Sequence, residues 1–162
     1  MDTVSPEVRS RVMAAVRSRD TTPELLVRHA LREAGWRYRI CDKRLPGHPD
    51  IVVPRCHALI EIRGCFWHRH GWVADGRRLA HDAFCPDART PKSNLAFWNA
   101  KFRRNVLRDA EHERLWAELG WNVLVIWECA LKTAAEREKT FQFVLRNLEK
   151  WDCSASDAEC PQ

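Results

Sequence analysis

The chain has 162 residues, 45% of them hydrophobic, with a formal net charge of +5 and a pI near 9.0. That is enough for one domain with its own core, over residues 1–151 with a flexible tail at 152–162. No apolar run approaches the ~20 residues that cross a bilayer, and the N-terminus lacks a secretory apolar stretch. The expected setting is the cytosol, where the seven cysteines read as free thiols or metal ligands rather than disulfides. The basic balance fits a polyanion such as nucleic acid.

Taken in chain order, Ser5-Pro6-Glu7 caps a helix running to about Arg17, with proline in its first turn. Thr22-Pro23-Glu24 repeats the signal, and Leu25, Leu26, Ala30 and Leu31 give that helix an apolar face stopped by Gly35. Three strands follow: WRYRIC, alternating through Trp36, Tyr38 and Ile40; Asp50 to Val53; and His57 to Arg63. The second and third are joined by VPRC as a hairpin. Residues 71–92 break into Gly, Asp, Arg and Pro, a loop long enough to suggest function. A long helix spans Asn94 to Leu119 and closes at Gly120, WNVLVIW is a buried strand, and Thr133 to Glu136 is a capping box opening a final helix. The order predicts an α/β fold with a mixed sheet flanked by helices.

Three stretches carry chemistry. LPGHPDIVV places Asp50 at the mouth of a strand, where it serves either turn formation or catalysis. In ALIEIRG, alternation sets Ala58, Ile60 and Ile62 on one face and Leu59, Glu61 and Arg63 on the other. Asp followed by Glu-x-basic on the next strand is the arrangement of PD-(D/E)xK nucleases, whose carboxylates hold Mg²⁺ against a phosphodiester. GCFWHRH, from Gly64 to His70, offers rings for a core and Cys and His for a metal.

PGHPDIVV, GCFWH, FWNAKFRRNVLRD and GWNVLVIWECAL together, between about Arg9 and Leu131, resemble the very-short-patch (Vsr) mismatch repair endonucleases. The resemblance implies a restriction-endonuclease-like (PD-(D/E)xK) core with a structural Zn²⁺ and a catalytic Mg²⁺. The implied reaction nicks one strand 5′ to the thymine of a T:G mismatch left by 5-methylcytosine deamination. It matches Asp50 to the catalytic metal-binding aspartate, Glu24 to a glutamate supporting the metal's water shell, and His68 to a general base oriented by Asp109. Phe66, Trp67 and Trp98 match rings wedged into the base stack, and Met13 a residue entering from the other groove. Lys101 and Asn105, one turn apart, match positions near the mismatch, with Arg103, Arg104 and Arg108 holding phosphates.

Cys65, His70 and Cys129 match zinc ligands of the family. The fourth position falls near Trp72, which cannot ligate, so Cys85 of the lengthened loop is expected to complete the set, with His81 the competitor. Glu61 and Arg63 depart from the family, which often has no acid at the first position and commonly a histidine at the second. Glu61 is expected to join Asp50 on Mg²⁺ while Ile62 lends its carbonyl, and Arg63 to face the phosphate, too basic to act as a base. The family setting implies double-stranded DNA as partner, links to a cytosine-5 DNA methyltransferase and mismatch repair proteins, a monomer, and a bacterial cytoplasmic, nucleoid-associated location. A related nickase with altered specificity and a non-catalytic zinc-stabilised DNA-binding module are the other readings.

Overall fold

A four-stranded mixed sheet in the order β1-β2-β3-β4 forms the centre of the protein. The computed structural model describes residues 8, 11, 19–72 and 85–152. Apart from Val8 and Arg11, the predicted helix over residues 5–17 therefore lies outside the described residues, as do Met13, His81 and the tail beyond residue 152. Helix α1 is Thr22–Glu33, β1 Arg39–Ile40, β2 Ile51–Val53, β3 Ala58–Arg63 and α2 Cys65–His68. Helix α3 follows at Leu95–Glu118, β4 at Asn122–Trp127 and α4 at Ala134–Lys150.

β1, β2 and β3 are antiparallel, and β4 runs parallel to β3 with Glu61 opposite Val125. The β3–β4 connection passes through α3, the long crossover that a parallel pair requires. Strand alternation then sorts the side chains. Ile51, Val53, Ala58 and Ile60 join Val27, Leu31, Val144 and Leu148 beneath α1 and α4. Val52 and Leu59 face the other way, against Trp116 of α3. Trp116 is fully buried, and its indole N–H donates to the Pro46 carbonyl at 2.8 Å. Rings of this size dominate core energetics, and the buried N–H needs such a partner.

The same alternation sets the polar centre. Asp50 precedes β2 on the α3 side, and the register pairing Ile51 with Ile60 brings Asp50 opposite Glu61. Glu61 and Arg63 share that side of β3. The turn before Asp50 is clamped onto α3 at Gly47, which has φ of +70°. A Cβ there would sit 2.3 Å from Nδ1 of His112, so only glycine serves the turn.

The predicted elements need four adjustments. The first helix cap is Thr21 rather than Thr22, and Glu24 reaches back to accept from the Thr21 hydroxyl at 2.8 Å. Of WRYRIC only Arg39–Ile40 pairs in the sheet, because Cys41 turns into the left-handed region at φ of +47°. Pro54–Cys56 forms a 3-10 turn between β2 and β3 that ends on left-handed His57. The one-turn helix α2 has no counterpart in the sequence reading, since four residues show no period. The capping box at Thr133 and Glu136 is present in both directions.

Candidate active site and metal centre

A cleft of about 800 Å³ opens where β2 and β3 meet the N-terminal end of α1. Glu24, Asp50, Glu61, Ile62, Trp67, His68, Lys101 and Arg108 are among the residues that line it. Asp50 accepts the Ile62 backbone N–H at 2.8 Å, which ties its carboxylate to the neighbouring strand. Burial pushes its pKa up to about 6, with Glu24 adding to the rise. Glu61 is pushed up to about 8, first by burial and then by the charge of Asp50. Its Oε2 is buried without a hydrogen-bond partner among the described residues. Two facing carboxylates, one with an unsatisfied buried oxygen, have the donor chemistry a hard divalent cation requires.

Glu24 is buried and fully engaged. It accepts the Asp20 backbone N–H at 3.0 Å, the Thr21 hydroxyl, and Arg28 at 2.7 Å. Its reach to any cation would therefore be indirect.

His68 ends α2, and its Nδ1 lies 2.6 Å from Asp109 Oδ2 on α3. Against a carboxylate Nδ1 carries the proton, which leaves Nε2 as the free basic nitrogen. Burial works against the Asp109 charge, but the His68 hydrogen bond and nearby Arg63 and Arg108 hold its pKa below the ordinary value. Arg108 donates to the second Asp109 oxygen at 3.0 Å from a half-exposed side chain.

Arg63 departs from the sequence reading. It was expected to face the phosphate, yet it is buried, does not line the cleft, and pairs with Glu113 of α3 at 2.6 Å. Its alternation position on β3 points it under α3, and an acid fifty residues along the chain meets it there. Glu113 is a residue the sequence reading missed, and no local pattern marks it.

An aromatic platform adjoins the cleft. Phe66 meets Trp67 edge-on at 4.9 Å and Trp98 at 5.3 Å. Phe102 lies beneath them, buried, 5.2 Å from Phe66 and 5.4 Å from Trp98. Phe97, 5.3 Å from Trp98, is 49% exposed and extends the platform outward. The Lys101 ammonium sits 4.8 Å from the Trp67 ring centre, close enough for a cation–π contact. Asn105 donates to the Trp67 carbonyl at 2.8 Å and so steadies the platform from below. Phe97 and Phe102 were not singled out from the sequence, although Phe102 stands one helical turn after Trp98.

Behind α2, Cys65, His70, Cys85 and Cys129 converge, their ligand atoms all within 4.8 Å of one another. His70 Nδ1 lies 3.6 Å from the Cys65 sulfur and 3.4 Å from that of Cys129. The imidazole stacks on Trp127 at 4.2 Å, which fixes its plane. Burial pushes the Cys65 and Cys129 thiols up and the His70 imidazole down. A cation at the centre would supply the charge that holds thiolates there. The group can hold a metal, and three sulfurs with one nitrogen suit a soft tetrahedral ion.

Paired carboxylates, a histidine with its own carboxylate partner, and a ring-bearing basic helix along one cleft are equipment for cutting a phosphodiester. The sequence comparisons agree. Residues 1–74 match the family model described as DNA mismatch endonuclease Vsr. The type II nicking enzyme V.XorIIP of Xanthomonas oryzae is 38% identical over 89% of this chain and 96% of its own. V.NmeAIP of Neisseria meningitidis, also a type II nicking enzyme, is 36% identical over 91% and 96%. The DNA mismatch endonuclease Vsr of Escherichia coli is 37% identical over 90% of this chain and 83% of its own. The chain belongs to the Vsr family of DNA mismatch endonucleases. It is a DNA endonuclease of mixed α/β fold, and no helix among the described residues is long and apolar enough to cross a membrane.

Proposed function

We propose that this endonuclease nicks one strand of duplex DNA on the 5′ side of the thymine in a T:G mismatch, with Mg²⁺ at Asp50 and Glu61 and Zn²⁺ at the cysteine–histidine cluster. The observation that carries the reading is the cleft itself. It is lined by a carboxylate pair, one oxygen of which has no partner among the described residues, and by a histidine that meets Asp109 through Nδ1.

When bound, Mg²⁺ supplies Lewis-acid polarisation of the phosphodiester and offsets charge developing on it. The protein's own residues do the rest. Asp50, fixed by the Ile62 N–H, and Glu61 on the facing strand would hold the ion, as in a PD-(D/E)xK-type nuclease. His68 takes a proton from the attacking water at Nε2 as the P–O3′ bond breaks, and the 3′-oxygen leaves, protonated by solvent, as a 3′-hydroxyl opposite a 5′-phosphate. Asp109 keeps the ring in the required tautomer and balances the imidazolium that forms. Arg108 lines the same cleft beside Asp109 and would offer its charge to the phosphate there. Arg63, bound to Glu113, balances the buried acids and does not touch substrate.

Specificity rests on the platform. Phe66, Trp67 and Trp98 press into the stack, and a mispaired step costs less to open than a paired one. Lys101, held over the Trp67 ring, brings positive charge to the same place. Cys65, His70, Cys85 and Cys129 take the zinc in a structural role, with all four protein ligands supplied.

The test is cleavage of matched duplexes that differ only in one T:G, T:A or C:G pair, with Mg²⁺ present. A single nick 5′ to the mispaired thymine is the expected product. Equal cutting of all three duplexes, or cutting of both strands, would overturn the reading.

A further inference from the structure

On the far side of the Glu24–Arg28 ion pair from the cleft lies a second concavity, of about 420 Å³. It is lined by Leu25, Arg28, His29 and Arg32 of α1 and by Tyr38, Arg39 and Ile40 at β1. We propose that it is a phosphodiester-binding site that takes the DNA backbone flanking the cut. The inference rests on the proposed function.

The charge there is unbalanced. Arg28 is neutralised by Asp20 and Glu24. Arg32 donates to the Tyr38 hydroxyl at 3.1 Å and has no carboxylate partner among the described residues. The Arg39 guanidinium comes only within 3.6 Å of Asp42, whose carboxylate is held more closely by Arg44. Arg32 and Arg39 thus converge from two elements on one hollow with charge to spare. Leu25 is 50% and Ile40 45% exposed at its rim, which gives a sugar apolar surface to rest on.

Its position suits a flanking phosphate. Glu24, Arg28 and Arg32 are four residues apart and so share one face of α1. At 1.5 Å per residue, Arg32 stands roughly 12 Å beyond Glu24 along the helix. With one phosphate per 3.4 Å of axis on each strand, that is about three to four nucleotides from the cut. Isolated surface arginines at that distance would be ordinary solvated charge. Here the Tyr38 hydroxyl, which donates to the Arg28 carbonyl at 3.3 Å, accepts from Arg32 and braces its guanidinium. Two cations converging on a concave surface have the form of a phosphate seat.

The experiment measures binding of T:G duplexes without Mg²⁺ across a salt series, for the wild type and for Arg32→Gln/Arg39→Gln. Each phosphate contact contributes about −0.9 to the slope of log affinity against log salt. On a long duplex the variant should bind roughly tenfold more weakly, with a slope shallower by about 1 to 2. On duplexes trimmed from the flank, the two proteins should become equal once the DNA no longer reaches the hollow. Arg32→Lys/Arg39→Lys should restore most of the slope, which a fold defect would not. Unchanged slope in a variant with native melting, or the same deficit at every duplex length, would overturn the proposal. Nicking at the mismatch is scored separately on the shortest duplex. Its absence from the wild type would instead count against the function, so the two readings fail apart.

Discussion

The Nδ1 atom of His68 and Oδ2 of Asp109, 2.6 Å apart, join the last residue of a one-turn helix to the middle of the 24-residue α3. The pair ties His68, the proposed base, to the helix that also carries Lys101, Asn105 and Arg108. Substituting Asp109→Asn keeps the shape but removes the charge that sets the tautomer. The expected loss is about 10²- to 10⁴-fold in kcat with little change in mismatch affinity. Single-turnover nicking beside equilibrium binding checks this, and an unimpaired rate would remove His68 from the base role.

Asp50 and Glu61 give the metal-free protein a pH signature. Their folded-state pKa values, about 6 and about 8, lie above the ordinary carboxylate values of 3.8 and 4.5. Between the ordinary and raised values the folded state binds more protons than the unfolded one, so stability falls as pH rises. Melting followed in a metal chelator too weak to strip thiolate-bound zinc should show a decline from about pH 4.5 to 8, flattening above. Glu61→Gln should remove most of the upper part of that slope and melt higher than wild type at pH 8. A flat wild-type profile would mean the carboxylates are better solvated than the structure places them.

The cysteine–histidine cluster and the cleft share α2. Cys65 and His68 are its first and last residues, with Phe66 and Trp67 between them and His70 just beyond. Cys85→Ser should therefore lower the zinc content per chain, the melting temperature and nicking together. Elemental analysis with melting and cleavage assays makes the comparison. Full zinc occupancy in the variant would exclude Cys85 as a ligand.

Trp98 touches Phe66, Phe97 and Phe102 and borders the cleft through Trp67. Trp98→Ala should weaken T:G duplex binding by about 1–3 kcal/mol, the scale of one base stacked on one ring. Binding to fully paired DNA should change much less. Equal weakening on both duplexes would make the ring a packing residue with no part in discrimination.

How far the sequence could be read depended on the range of the interaction. The capping box at Thr133 was legible because its partners are three residues apart. The two faces of β3 were legible because strand period is 2. Cys65, His70 and Cys129 were named through the family resemblance and Cys85 as the cysteine of the lengthened loop, while their convergence is a property of the fold. Arg63–Glu113 and Gly47–His112 were not legible, because each joins elements packed together only by the β3–α3–β4 crossover. The length of β1 was overestimated for a related reason. Alternation through Trp36, Tyr38 and Ile40 reports which side chains suit a core, while pairing ends where Cys41 turns left-handed.

The central claim is that the carboxylates at the head of β2 and in β3 seat the ion that cuts a T:G duplex. Asp50→Asn tests it most directly, with nicking and mismatch binding measured side by side in Mg²⁺. Loss of the nick with binding to T:G DNA retained is the outcome expected. A variant that still nicks at the wild-type rate would contradict the account.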